Sequence, residues 1–286
     1  MIVMFAYLHC DPSSTMITIP FVNFTLTWYG AIFATAFFVG LHIFIFMLSR
    51  FLRESNINYH DVAKSFGDKL IVYVIIATII GARLGHVLFY ESSSFYLKDP
   101  ISIFKIWEGG LASHGGIVGV IVALFIFYRK NKIQKFTFLH LLDYMSVPTM
   151  FVCSMIRIGN FFNQEILGIE TAKPWGLIFD HPKDGSLPSV RHPAMLYESV
   201  GYFIIFLSIF FIWDKYKLRS GKIFGLTLSF SFAFRFFIEY FKDEQSLWFN
   251  GNQILMGQLL SLPMIVIGVI FFVYKARKKS SHITDW

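Results

Sequence analysis

The chain has too few charged side chains for an ordinary soluble domain and too few cysteines for a disulfide-built one. Charged residues make up 15% of its 286 residues, against about 25% in typical soluble proteins. Hydrophobic residues make up 55% of the chain, and the mean hydropathy is positive. The two cysteines, Cys10 and Cys153, cannot provide a disulfide framework, and we expect them not to pair. These shortages argue against a soluble enzyme or a small secreted scaffold, and they indicate a polytopic membrane protein.

The apolar residues fall into runs that are long enough to cross a bilayer, which takes about 20 residues of helix. Seven such runs are present, at 29–49, 69–90, 110–128, 138–158, 194–213, 222–241 and 253–274. No internal repeat or low-complexity linker separates them. The sequence therefore predicts an all-α polytopic protein with a single integral membrane domain over residues 1–286. The segment 159–191 is too long for a simple connection, and we expect it to form a small outer subdomain.

Basic residues are unevenly distributed among the segments that connect these runs. Most of them lie in alternate segments, namely Arg50, Arg53, Lys64, Arg129, Lys130, Lys132, Lys135, Lys215, Lys217, Arg219, Lys222, Lys275, Arg277, Lys278 and Lys279. The positive-inside rule then predicts an outer N-terminus, a cytoplasmic C-terminus and an outer position for 159–191. Because the net charge of +7 comes largely from these loops, it indicates contact with membrane lipid and does not indicate nucleic-acid binding.

A polar cluster follows the apolar run of the fourth span. It contains Arg157, Asn160, Asn163 and Glu165 and ends at Gly168. An arginine at the end of a span is costly unless an anion or water meets it, and its planar fork suits phosphate oxygens. A snorkelling arginine is the simpler alternative, but snorkelling requires none of the polar residues that follow. The cluster therefore favours a site for an anionic group such as a phospholipid headgroup.

Two further arginines, Arg83 and Arg235, lie inside predicted spans. Arg83 and His86 are three residues apart, and Arg235 and Glu239 are four apart, so each pair shares a helix face. The simplest interpretation of both pairs is structural, with Arg235 held in an ion pair by Glu239. Together with Arg157, however, these arginines favour a shared anionic cavity, in which Glu239 would hold Arg235 while its other edge faces the anion.

Two histidines and a tyrosine are candidates for chemistry at the outer ends of the spans. His114 is followed by glycines that expose it, and an imidazole can exchange a proton near neutral pH. His192 precedes the fifth span, in which a buried Glu198 requires a cationic partner. Tyr29 could hydrogen-bond a headgroup. The structural alternatives are packing for His114, a cap and salt bridge for His192 and Glu198, and an aromatic-belt position for Tyr29.

The polar stretch from Arg157 to Gly168 resembles the signature of the prolipoprotein diacylglyceryl transferase family. Other blocks of that family occur in order, namely Trp28-Tyr29-Gly30, Gly81-Ala82-Arg83, Glu108-Gly109-Gly110, Ser113-His114-Gly115-Gly116, Arg191-His192-Pro193, Tyr197-Glu198, Arg235-Phe236 with Glu239, Met256-Gly257-Gln258 and Leu260-Ser261. The chain departs from the pattern at Ile156, where the signature has a glycine, at His86, where a tyrosine is usual, and at Ala194-Met195, where a more polar pair is usual.

The resemblance implies a bacterial inner-membrane enzyme with seven spans. Such an enzyme transfers the diacylglyceryl group of phosphatidylglycerol to the thiol of a prolipoprotein's lipobox cysteine and releases glycerol phosphate, and it needs no cofactor or metal. Carried over residue by residue, the catalytic residues are His114, Arg235 and Tyr29, and the substrate-binding residues are Arg157, Asn160, Glu165, Gly168, Arg83, His192 and Glu239. The choice between His114 and His192 as the base stays open. The rival interpretations are a lipid flippase or anion-coupled transporter and a non-catalytic lipid-binding scaffold.

Overall fold

The protein is mainly helical in the computed structural model, which describes residues 7–22, 24–53, 58–89, 99–105, 110–243 and 255–273. The long helices among these residues are α1 (Trp28–Leu52), α2 (Tyr59–Phe89), α3 (Ser113–Lys130), α4 (Phe138–Phe162), α5 (Ala194–Tyr216), α6 (Lys222–Ile238) and α7 (Met256–Val273). The short strands are β1 (Leu8–Cys10), β2 (Thr15–Ile19), β3 (Phe24–Thr27), β4 (Leu177–Phe179) and β5 (Val190–Arg191). The predicted fold class, an all-α polytopic membrane protein, is confirmed, and the strands are small additions that the sequence did not predict.

Six of the described helices are long and apolar enough to cross a membrane. They are α1, α2, α4, α5, α7 and the stretch Lys222–Phe241, which is α6 with the 3-10 turn that follows it. The run predicted at 110–128 forms α3, and its crossing of the membrane stays a prediction. Helix α2 begins well before the predicted residue 69, because Ala63, Phe66 and Leu70 continue its buried face at helical spacing.

The chain divides into two compact units, residues 44–141 and residues 1–43 with 142–286. In the unit 44–141, α2 and α3 approach each other through glycines. A Cβ atom built on Gly115 would contact the carbonyl oxygen of Gly81 and would lie 2.7 Å from the Cα atom of Gly85. Only residues without a side chain allow two helix backbones to come this close.

The other unit carries a small sheet in the region of the predicted outer subdomain, 159–191. Its strand order is β1-β4-β5, with β1 parallel to β4 and β4 antiparallel to β5. Leu167, Phe179 and Met195 form a buried apolar cluster in this region. The segment 159–191 is therefore completed by a strand from the start of the chain. Cys10 on β1 and Cys153 on α4 are both free thiols, as predicted.

Candidate active site

Arg157 lies near the end of α4, and only 17% of its side chain is exposed. Its Nε atom lies 3.0 Å from Oε2 of Glu198, a fully buried carboxylate on α5. Its Nη1 atom donates a hydrogen bond to Oδ1 of Asn160 at 3.1 Å. The guanidinium is therefore held in one orientation, and the predicted cationic partner of Glu198 is confirmed as Arg157.

The polar residues after Arg157 form one connected network. Nδ2 of Asn160 donates to Oε1 of Glu165 at 2.7 Å, and Nδ2 of Asn163 donates to the same oxygen at 3.1 Å. Nζ of Lys183 donates to the other oxygen of Glu165 at 3.2 Å. The hydrogen bonds thus run from Arg157 through Asn160 to Glu165, so the structure brings together residues that the sequence placed in one site.

An irregular turn after α4 brings Glu165 back to Asn160. Gln164 and Ile166 adopt positive φ angles of 48° and 60°, and such angles are rare for a β-branched residue. The backbone N–H of Glu165 donates to the carbonyl oxygen of Asn160 at 3.1 Å, and the side chain of Gln164 donates to Asp11. Strained backbone of this kind tends to occur at functional sites, where the surrounding structure maintains it.

Gly168 lies where three segments of the chain meet. Its N–H donates to the carbonyl oxygen of His192 at 3.0 Å, and the N–H of Ile169 donates to that of Phe241 at 3.1 Å. A Cβ atom on Gly168 would lie 2.5 Å from both carbonyl oxygens. Since real Cβ atoms do not approach oxygen so closely, only glycine allows the segments after α4, before α5 and after α6 to pack together.

Tyr29, at the start of α1, lies against the end of α4. A Cβ atom on Gly159 would lie 2.8 Å from Cδ2 of the Tyr29 ring, and the ring of Trp28 stacks on Phe162 at a centroid distance of 5.3 Å. The predicted site residue Tyr29 is therefore next to the helix end that carries Arg157 and Asn160.

His192 lies in the segment that leads into α5 and is buried. Its Nδ1 atom is 3.0 Å from the hydroxyl of Tyr197, and its ring packs edge-on against Phe241. Burial lowers the pKa of His192, and the positive charge of Lys173 lowers it further. The neutral form is favoured as a result, and the ring is tied into the packing beside Gly168.

The predicted ion pair between Arg235 and Glu239 is wrong. Both side chains are described, and the cation beside Glu239 is Lys242, whose Nζ atom lies 3.9 Å from Oε2. Helix α6 ends at Ile238, and Glu239 begins a 3-10 turn, Glu239–Phe241. In that geometry residues three apart are eclipsed, so Glu239 faces the residue three positions later, which is Lys242.

Lys242 also lies beside these charged residues, a position that the sequence did not predict. Its Nζ atom also lies 3.6 Å from Oε1 of Glu198, and only 7% of its side chain is exposed. Its spacing of three residues from Glu239 was a signal in the sequence for this pair.

In the unit 44–141, the guanidinium of Arg83 binds backbone carbonyls. Nε donates to Ile103 at 2.9 Å, Nη1 donates to Gly110 at 3.1 Å, and Nη2 donates to Ser102. Gly110 has a φ of 70°, and a Cβ atom there would lie 2.7 Å from the ring of His86. These contacts support the structural interpretation of Arg83, and its role in substrate binding stays a prediction.

His114 is in the first turn of α3, and its side chain is exposed. It belongs to the unit 44–141, whereas the Arg157 network belongs to the other unit. Glu108 and Gly109, from one of the family blocks, lie outside the described residues. An exposed imidazole at a helix start is accessible to a reacting group, and its role as the base stays a prediction.

The chain is similar over most of its length to proteins of one family. Residues 16–274 match the family model described as prolipoprotein diacylglyceryl transferase. A phosphatidylglycerol–prolipoprotein diacylglyceryl transferase of Tolumonas auensis is 42% identical over 254 residues, which cover 88% of this chain and 92% of the relative. One from Chloroherpeton thalassium is 37% identical over 284 residues, which cover 98% of both chains. This chain belongs to the prolipoprotein diacylglyceryl transferase family.

Proposed function

We propose that this protein transfers the diacylglyceryl group of phosphatidylglycerol to the thiol of the lipobox cysteine of a prolipoprotein, with release of glycerol phosphate. The observation that carries the proposal is the cluster of charges at the C-terminal ends of α4 and α6 and the N-terminal end of α5. Arg157, Arg235, Glu198 and Glu239 all act electrostatically on Lys242. The cluster contains one more cation than carboxylates, and a single negative charge on a phosphodiester would balance it.

The reaction fits the chemistry of these side chains. A thiol reacts well only as the thiolate, and the exposed imidazole of His114 accepts the thiol proton. The sulfur then attacks the glyceryl carbon that bears the phosphodiester. A C–S bond forms, the C–O bond breaks, and the electron pair leaves with glycerol phosphate. Arg157 binds the phosphate, and Arg235 stabilises the negative charge that gathers on it, which lowers the barrier because the attraction grows toward the transition state.

Incubation of the purified protein with phosphatidylglycerol and a lipobox peptide tests this function. We expect a thioether-linked diacylglyceryl peptide and an equal amount of glycerol phosphate. A peptide in which serine replaces the lipobox cysteine is the matched control and should give neither product. Movement of labelled lipid across vesicles without thioether product would contradict the proposal and would favour the flippase.

We also propose that the protein lies in the bacterial inner membrane, with its N-terminus and the Arg157 site on the outer side. In a variant without Cys10 and Cys153, Leu187→Cys should react with a membrane-impermeant thiol reagent in intact spheroplasts, because Leu187 is 85% exposed in the segment 159–191. Lys132→Cys should react only after the membrane is opened. The reverse labelling pattern would overturn this orientation.

A further inference from the structure

Lys242 is a buried cation between a fully buried carboxylate, Glu198, and a partly buried one, Glu239. Its Nζ atom lies 3.6 Å from Oε1 of Glu198 and 3.9 Å from Oε2 of Glu239. Glu239 packs against Gly257 of α7, where a Cβ atom would contact its carboxylate. A lysine in such a place is not a loop cation that snorkels to water, because 7% of its side chain is exposed.

The backbone around Lys242 is fixed on both sides. Its N–H donates to the carbonyl oxygen of Glu239 at 3.2 Å, and the N–H of Asp243 donates to that of Leu167 at 3.3 Å. Lys242 also forms an antiparallel bridge with Gly168. The Nζ atom is thus carried by a segment that packs directly on the turn after α4.

Glu198 links Lys242 to Arg157. Its Oε2 atom lies 3.0 Å from Nε of Arg157, and its Oε1 atom lies 3.6 Å from Nζ of Lys242. Among the described residues, neither oxygen of Glu198 accepts a hydrogen bond of good geometry. The negative charge of Glu198 is therefore balanced mainly by Arg157 and Lys242. Each of these two cations weakens the attraction between Glu198 and the other cation.

We propose that Lys242 is a positioning residue for the transfer reaction, and that it acts through Glu198 on the orientation of Arg157. While Lys242 occupies Oε1, Glu198 holds Arg157 through the Nε edge, and Nη1 stays on Asn160. Without Lys242, the Glu198 carboxylate attracts the Arg157 guanidinium more strongly, and the excess positive charge that suits a phosphodiester is lost. This inference rests on the proposed function.

The test is a double-mutant cycle on Lys242→Met and Glu198→Gln, with kcat and KM measured for phosphatidylglycerol and the lipobox peptide. Lys242→Met should lower kcat/KM about ten- to hundredfold, in the range of coupling between contacting charges. Lys242→Arg, which keeps the charge, should recover most of the activity. The double variant should lose no more than the worse single variant, because Lys242 has no carboxylate to control once Glu198 is neutral.

Three outcomes would overturn the inference. They are wild-type kinetics in Lys242→Met, losses that multiply in the double variant, and no recovery in Lys242→Arg. If Lys242→Met does not fold, the comparison of Glu198→Gln with the double variant decides, and a large additional loss in the double variant counts against the inference. Lys217→Met, which removes a lysine paired with Asp214 at the other end of α5, is the matched control. If the wild-type protein itself forms no thioether product, the proposed function fails, which is distinct from failure of the Lys242 inference.

Discussion

Replacement of Arg235 by alanine is expected to leave a folded protein that transfers the diacylglyceryl group about a hundred- to a thousandfold more slowly, the loss that follows removal of one group stabilising transition-state charge. The carboxylate four residues later, Glu239, lies beside Lys242 at 3.9 Å. Removal of Arg235 therefore leaves Glu239 with its cation. The charge of Arg235 nevertheless acts on Lys242. Burial is the main cause of the lowered pKa of Lys242, and the charges of Arg157 and Arg235 lower it further.

The measurement is kcat at saturating phosphatidylglycerol, together with the thermal unfolding midpoint. Arg235→Lys keeps the charge without the planar fork and should retain intermediate activity. Glu239→Gln should lose less activity than Arg235→Ala, because it keeps a hydrogen-bond acceptor and leaves Arg235 charged. An Arg235→Ala protein with wild-type kcat would show that Arg235 does not act on the departing phosphate, and an unstable one would show that Arg235 supports the fold.

Replacement of Arg157 by glutamine is expected to weaken phosphatidylglycerol binding about ten- to a hundredfold, since a hydrogen bond to a charged group contributes about 1.5–3 kcal/mol. It should also destabilise the fold. Glu198 is fully buried and, among the described residues, would keep Lys242 as its one cation, at 3.6 Å. Removal of one partner of a buried ion pair costs about 3–5 kcal/mol.

Arg157→Lys separates these two effects. Lysine keeps a cation beside Glu198, so the unfolding midpoint should recover, but it cannot present a planar fork to the phosphate, so lipid binding should stay weak. Lipid affinity of wild-type strength in Arg157→Lys would show that a bidentate contact to the phosphate is not part of the mechanism.

His114→Gln is the complementary variant and should lose turnover while it keeps lipid binding. Wild-type turnover in His114→Gln would show that this histidine is not the base.

The membrane architecture could be predicted from the sequence because hydropathy is a local property. Each apolar run is long enough to cross a bilayer whatever its neighbours do, and the helices Trp28–Leu52 and Met256–Val273 lie close to the runs predicted at 29–49 and 253–274. The short strands were missed. Leu8–Cys10 pairs with Leu177–Phe179, and a pairing between such distant segments leaves little local signal.

The sequence predicted most of the residues of the candidate site, but it did not predict the contacts between them. The residues between Arg157 and Gly168 are close in sequence, so they also lie close together in the folded protein. A buried Glu198 needs a cation because a lone charge in a membrane is costly. Which cation it meets is a tertiary property. The cation beside Glu239 is Lys242, which lies three residues later after a 3-10 turn, and it is not the predicted Arg235.

The sequence by itself determined that this chain crosses a membrane several times, to which family it is similar and which polar residues follow its fourth span. Only the tertiary structure decided that Lys242 lies between Glu198 and Glu239, that Arg83 binds backbone carbonyls and that Gly168 joins three segments. The reason is physical. Apolar length and residue type can be read one segment at a time, whereas the neutralisation of a buried charge depends on side chains that folding brings from different helices.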